Sequence, residues 1–166
     1  KLIEEINKSN NYHPVLKCQL PKKVNVIKFS EFDNQISRNI DLLVVGVSSK
    51  GIDWIGEEIS KFYSDKTNIL LLTKGLTIIN NQFETLAEKL KKILNQKGIN
   101  NPKISAVGGP CLANGLANRI NSSVVLANEN INLVKEIGKL ISTEYYSTEY
   151  SDDIIGVEVC AASKNI

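Results

Sequence analysis

The sequence predicts an α/β protein built on a doubly wound, mainly parallel sheet, and three observations carry that expectation. Continuous aliphatic runs of strand length, at residues 42–45 and 69–72, suit strands buried on both faces. Between such runs lie patterns with apolar residues on one helical face, clearest at Phe83, Leu86, Ala87, Leu90, Ile93 and Leu94. The two kinds of segment alternate as β-α-β-α-β-α-β-α-β-α, an order that implies right-handed crossovers.

Residues 1–7 set Leu2, Ile3 and Ile6 at helical spacing, and Asn10-Asn11 end that helix. Residues 12–23, holding Pro14 and Pro21, read as a loop, and residues 24–29 alternate as a strand would. Ser30 and Asp33 are helix-start residues for a short helix reaching about residue 39. Residues 41–47 form the next strand, where Gly46 bares the backbone near the exit. Ile52, Ile55, Ile59 and Phe62 line one helix face, and a strand over residues 68–73 follows. The helix from Phe83 to Leu94 is ended by Gly98 and Pro102. Residues 103–107 form a short strand, and Gly108-Gly109-Pro110 turns into a helix through about residue 119. A strand at 122–127 precedes a helix lined by Val134, Ile137, Leu140 and Ile141 and capped by Asn128 or Asn130. Polar, tyrosine-rich residues 144–150 suit an edge strand. Residues 152–166 read as a helix that is apolar nearly all round until Ser163-Lys164-Asn165.

The 166 residues suffice for one domain with a real core, and 42% apolar with 23% charged residues is globular composition. A net charge of +2, without a basic block interleaved with aromatics, argues against a nucleic-acid partner. No apolar run approaches the ~18 residues of a membrane span, and no targeting segment is visible. Cys18, Cys111 and Cys160 are odd in number and widely spaced, which fits a reducing, cytoplasmic setting and argues against disulfides and structural zinc. His13 is the only histidine and lies in a loop-like segment, so histidine catalysis is not expected. The chain contains no methionine and opens in a charged helical segment, which gives the expectation of a fragment.

Three places can carry chemistry. Lys74 follows the aliphatic run 69–72, at the strand end where open α/β sheets bind ligands. On that stretch alone, an ordinary solvated lysine is the preferred reading. Gly108-Gly109-Pro110-Cys111 follows a strand, and the free N–H groups of a helix start there would seat an anion or a polar substrate oxygen. The plain alternative is a tight connection. Cys111 sits where a helix N-terminus lowers a thiol pKa, but without a histidine partner it reads as a packing or contact residue. Gly156, Cys160 and Lys164 share one helix face at i, i+4 and i+8. There Lys164 is either a desolvated proton-transfer group or the exposed end of the helix.

Taken together, three pieces resemble the NAD(P)-dependent glycerol-3-phosphate dehydrogenases. They are Leu72-Thr73-Lys74-Gly75, Gly108-Gly109-Pro110 through Ala113, and Asp153-Ile154-Ile155-Gly156-Val157-Glu158 leading to Lys164-Asn165. Asn11-Tyr12 and Leu20-Pro21 match an earlier part of the pattern. The resemblance implies a Rossmann-like fold, with residues 1–151 a partial NAD(P)-binding domain and 152–166 the start of the helix leading to a second domain. The sheet's first strands, with their glycine-rich dinucleotide fingerprint, and the family's all-helical C-terminal domain would be absent. The piece alone would then be inactive.

The resemblance assigns roles to individual residues. Lys164 looks like the general acid/base at the C2 oxygen, and Lys74 like the second lysine, at substrate and cofactor. Gly109, Cys111 and Asn165 fall at substrate-contact positions, while Val47, Ser48 and Ala113 fall at cofactor contacts. Cys111 replaces a more usual hydroxyl residue, and Asn114 a frequent glutamate. The implied reaction interconverts dihydroxyacetone phosphate and sn-glycerol 3-phosphate with NAD or NADP, linking glycolysis to glycerolipid synthesis, in a homodimer when full length. The alternatives are a related reductase of the 6-phosphogluconate-dehydrogenase superfamily, acting on a 3-hydroxy acid or ketopantoate, and a non-catalytic interaction domain with a vestigial site.

Overall fold

The aliphatic run at residues 69–71 forms the centre of a sheet, whereas the run at 42–45 forms an edge strand with Val44 48% exposed, not one buried on both faces. The computed structural model describes residues 1–32, 40–79 and 81–163. Its elements in order are α1 (Leu2–Lys8), β1 (Tyr12–His13), β2 (Cys18–Gln19), β3 (Leu42–Val45), α2 (Ile52–Ser60), β4 (Asn68–Leu71), β5 (Leu76–Ile79) and β6 (Gln82–Thr85). They continue with α3 (Leu86–Gln96), β7 (Lys103–Gly108), α4 (Ala113–Ala117), β8 (Ser122–Ala127), α5 (Ile131–Ile141), β9 (Tyr146–Ser151) and α6 (Ile154–Ser163). Short 3-10 turns stand at Phe29–Glu31 and Ser49–Gly51.

Five strands pair in the order β3-β4-β7-β8-β9. Three of the four pairings are parallel, and only β7 with β8 is antiparallel. The connection from β7 to β8 holds only the five-residue α4, so the chain turns back at the edge it left rather than crossing over a face. Successive residues of β4 point to opposite faces: Ile69 and Leu71 join one core cluster, Leu70 the other. The first core holds Ile52 and Ile59 of α2 and Leu86, Leu90 and Leu94 of α3. The second holds Val124 and Leu126 of β8 and Val134 and Ile137 of α5. A strand buried on both faces is what its unbroken aliphatic sequence requires. As the tyrosine-rich sequence suggests, β9 is an edge of the sheet, with β3 at the other edge.

Several expectations need correction. Residues 24–29 form no strand: the carbonyls of Val24 and Val26 accept from Asn11 Nδ2 and Asn7 Nδ2, each at 3.0 Å, so side-chain amides take the place of a ladder. The loop 12–23 contains a two-residue ladder between β1 and β2. The helix expected from Phe83 begins at Leu86, because Thr85 and Glu88 form a capping box, with Glu88 N to Thr85 Oγ1 at 3.2 Å and Thr85 N to Glu88 Oε2 at 3.0 Å. Phe83 instead faces Ile78 across the β5–β6 hairpin and is 78% exposed. The helix expected from Pro110 to about residue 119 is only α4, with extended Leu112 before it. On α5, Asn130 is the cap, accepting from Asn132 N at 3.2 Å, and Leu140 is 67% exposed rather than part of the buried face. The helix expected around residues 33–39 lies outside the described residues.

Candidate active site

At the carboxyl end of β4 the chain turns through Thr73, Lys74 and Gly75. Leu72 N donates to Val45 O at 2.9 Å and Thr73 Oγ1 to Val47 O at 2.6 Å, so the exits of β3 and β4 are tied together. This brings the Val47–Ser48 loop beside the lysine turn. Lys74 Nζ reaches the neighbouring exit, that of β7, and donates to Gly109 O at 2.9 Å. The lysine is exposed, as a solvated lysine at a strand exit would be, and its ammonium is hydrogen-bonded across the carboxyl ends of the strands.

Gly109 has φ +131°, a conformation that side chains disfavour. A Cβ there would stand 3.0 Å from Ser123 O and from Val124 Cα. Gly108 serves a different contact, since a Cβ on it would lie 2.8 Å from Val157 Cγ1 of α6. The paired glycines thus let one turn press against β8 and against the last helix at once.

Between this turn and α6 lies a cleft of about 620 Å³ lined by Lys74, Gly108, Gly109, Pro110, Val125, Asp153, Gly156, Val157, Cys160 and Ala161. Gly156 and Cys160 line it together, as their spacing of four requires. Asp153 Oδ1 accepts from Gly156 N at 2.8 Å and so caps the first turn of α6. On another side of α6, Glu158 is buried, and its Oε1 accepts from Ala87 N at 3.2 Å. Burial pushes its carboxyl pKa up, opposed by the nearby polar hydrogens of Thr85 and of the Ala87 and Leu86 amides and assisted by the charge of Glu88.

Of the residues singled out in the sequence, the structure gathers Lys74 and Gly109 on the cleft, with Val47 and Ser48 beside the lysine turn. It does not bring Cys111 and Ala113 onto the cleft wall. Cys111 is half-buried against the core cluster of Val124 and Leu126, and Ala113 is exposed at the start of α4. No helix turn starts at Pro110, so the anion seat expected there is not formed by helix N–H groups. Lys164 and Asn165 lie outside the described residues. Sequence reasoning missed Asp153, Val125 and Glu158. The Asp153-x-x-Gly156 spacing was a readable cap signal, whereas nothing local marks Val125 as a cleft residue. Among the described residues no cluster of His, Cys, Asp or Glu could hold a metal ion, and no helix is long and apolar enough to cross a membrane.

An open, mainly parallel α/β sheet with helices on both faces and a cleft at the carboxyl ends of its strands defines a Rossmann-like domain. Residues 1–134 match the family model described as NAD-dependent glycerol-3-phosphate dehydrogenase N-terminus, and the chain belongs to that family. A glycerol-3-phosphate dehydrogenase [NAD(P)+] of Ehrlichia chaffeensis is 32% identical over 97% of this chain and 47% of its own length. One of Oceanobacillus iheyensis is 27% identical over 98% of this chain and 45% of its own. The chain thus spans about half the length of the curated relatives it matches. The fold is shared with the Plasmodium falciparum glycerol-3-phosphate dehydrogenase structure, at TM-score 0.80 and 20% identity over 99% of this chain and 44% of that one.

Proposed function

We propose that this chain is the cofactor-facing part of an NAD(P)-dependent glycerol-3-phosphate dehydrogenase that interconverts dihydroxyacetone phosphate and sn-glycerol 3-phosphate. The observation that carries the reading is the hydrogen bond from Lys74 Nζ to Gly109 O at 2.9 Å, at a cleft whose other wall is the Gly156–Cys160 face of α6. Family membership favours this reading over a reductase acting on a 3-hydroxy acid or ketopantoate. It also favours a catalytic role over a vestigial one. A homodimer and a cytoplasmic location belong to the same reading and rest on family likeness alone.

The residues present fit a nicotinamide. The cleft wall combines small residues, Gly108, Gly109, Gly156 and Ala161, with apolar Val125 and Val157, a lining on which a flat ring would find room. Val47 and Ser48 would hold the cofactor from the adjacent loop. When bound, the cofactor supplies the hydride to the ketone carbon of the substrate. Negative charge then develops on the C2 oxygen, and the Lys74 ammonium at the cleft edge stabilises it electrostatically. The carbonyl of Gly109 keeps that ammonium aimed along the edge before substrate arrives. Lys164, one turn beyond Cys160 in sequence, would deliver the proton. Asp153 and Gly156 fix the start of α6, which precedes Lys164 in sequence.

The test is steady-state turnover, in a protein carrying this chain at the length of its relatives, with dihydroxyacetone phosphate against 3-keto acids and ketopantoate. Lys74→Ala is expected to lower kcat/KM for dihydroxyacetone phosphate by about 10²–10³-fold, the size of effect seen when one charge-stabilising donor is removed. Cofactor affinity should change little. Wild-type-like turnover in that variant, or preference for an acid substrate, would reject the assignment.

A further inference from the structure

We propose that Glu158 is a positioning residue: its hydrogen bond to the first turn of α3 fixes the level of α6 along the sheet, and with it the helix face that walls the cleft. The proposal deepens the dehydrogenase reading and rests on it for the catalytic consequence only.

Three observations carry the inference. First, Glu158 is the only charged residue in Ile154–Ser163, and it is 5% exposed on a helix of otherwise apolar and small side chains. An apolar residue would pack there without the desolvation cost of a buried carboxyl, so packing alone does not account for the choice. Second, its Oε1 accepts from Ala87 N at 3.2 Å, while Oε2 is buried with no hydrogen-bond partner. Ala87 lies in the first turn of α3, where backbone N–H groups have no intrahelical acceptor, so each group meets a need of the other.

Third, the adjacent residue Val157 makes the close contact with Gly108 on β7. Consecutive helical residues point about 100° apart, so residues 157 and 158 engage two different elements at one level of α6. A shift by one residue along the helix axis would separate Glu158 from Ala87 N and drive a different side chain onto Gly108. Gly156 and Cys160 on the cleft flank that level, so they shift with it. The carboxyl shares the start of α3 with Glu88, which closes the capping box on Thr85. Burial, and to a lesser degree that like charge, raises the carboxyl pKa, so the contact is made against an electrostatic cost.

Two variants separate positioning from general stability. Glu158→Gln keeps an oxygen acceptor for Ala87 N, and Glu158→Leu keeps volume without one. Hydrogen exchange is measured by amide on the 166-residue chain. In Glu158→Leu, the Ala87 amide and the α6 amides are expected to exchange faster together, by about fivefold, the loss of one hydrogen bond. The amides of α5 and β8 should be unchanged, and Glu158→Gln should retain at least wild-type protection. Faster exchange at Ala87 with α6 unaffected would overturn the proposal, as would an equal loss across α5 and β8.

At the relatives' length, Glu158→Leu is expected to lower kcat by about tenfold or more with the cofactor KM little changed, because misplacement at the reacting centre costs rate. Recovery in Glu158→Gln is expected. An unchanged kcat in Glu158→Leu would overturn the link to the cleft. Absence of turnover in the unsubstituted protein would instead overturn the dehydrogenase reading, leaving the exchange result to decide the positioning role.

Discussion

Replacing Gly109 by alanine tests whether the lysine and its glycine turn are one structural unit. The φ of +131° strains any other residue there by about 1–3 kcal/mol. The added methyl group would also stand 3.0 Å from Ser123 O and Val124 Cα, both backbone atoms of a strand inside the sheet. Those atoms yield only by distorting the ladder, and such overpacking costs about a further 1–3 kcal/mol. The total, about 2–6 kcal/mol, is a large part of the 5–15 kcal/mol that holds a typical domain together. Gly98→Ala is the matched control: φ there is +86°, but nothing lies within 4 Å of the added atom, so only the backbone strain remains. In urea denaturation followed by circular dichroism, Gly109→Ala should lower the midpoint clearly further than Gly98→Ala, by about 1 M at ordinary m-values. Equal losses in the two variants would refute the close approach of the turn to β8. They would also remove the reason for Gly109 O to stand where Lys74 Nζ meets it.

Two further outcomes follow from burial. Leu90, 0% exposed between α2 and the sheet, should cost about 2–5 kcal/mol as Leu90→Ala in the same denaturation experiment, and a loss under 1 kcal/mol would contradict the packing. Glu158 gives a pH dependence: its carboxyl pKa is raised in the folded state, so the folded chain binds the proton more tightly than the unfolded chain. Stability then falls as pH rises from the ordinary carboxyl range through the raised pKa, and stays lower above it. Glu158→Gln should flatten that decline and be at least as stable as wild type at neutral pH, whereas an unchanged slope would contradict the shift.

Much of the fold was legible because its central strand is buried on both faces. Residues 69–71 have no polar position to offer solvent, and a run of that length with glycine after it leaves few alternatives to a central strand. Errors fall where a side chain outside the local pattern decides the structure. Residues 24–29 alternate as a strand should, yet their carbonyls are claimed by amides of Asn7 and Asn11, thirteen to nineteen positions away. Phe83 sits at helical spacing from Leu86 and Leu90, but the Thr85–Glu88 box starts the helix after it; that signal was present in the sequence and outweighed by periodicity. At the site, the i, i+4 relation of Gly156 and Cys160 was readable, because helix geometry alone fixes it. The packing of Cys111 against the core and of Glu158 against the start of α3 depends on how elements dock, which no spacing within one element encodes.

The meeting of Lys74 with Gly109 follows from that docking in one traceable step. In the parallel ladder between β4 and β7, Leu71 stands opposite Ala106, an offset of thirty-five residues. Three residues beyond each partner are Lys74 and Gly109, and the hydrogen bond between them spans the same thirty-five. The two exits leave the sheet side by side, so the lysine finds the glycine carbonyl without any contact having to guide it there. What sets the offset is the core. A slip of one residue would turn Ile69 and Leu71 onto the face that Leu70 occupies, emptying one apolar cluster and overfilling the other. The aliphatic side chains that bury the strand therefore also determine which carbonyl the cation meets, and the position of the site's charge is inherited from the hydrophobic register beneath it.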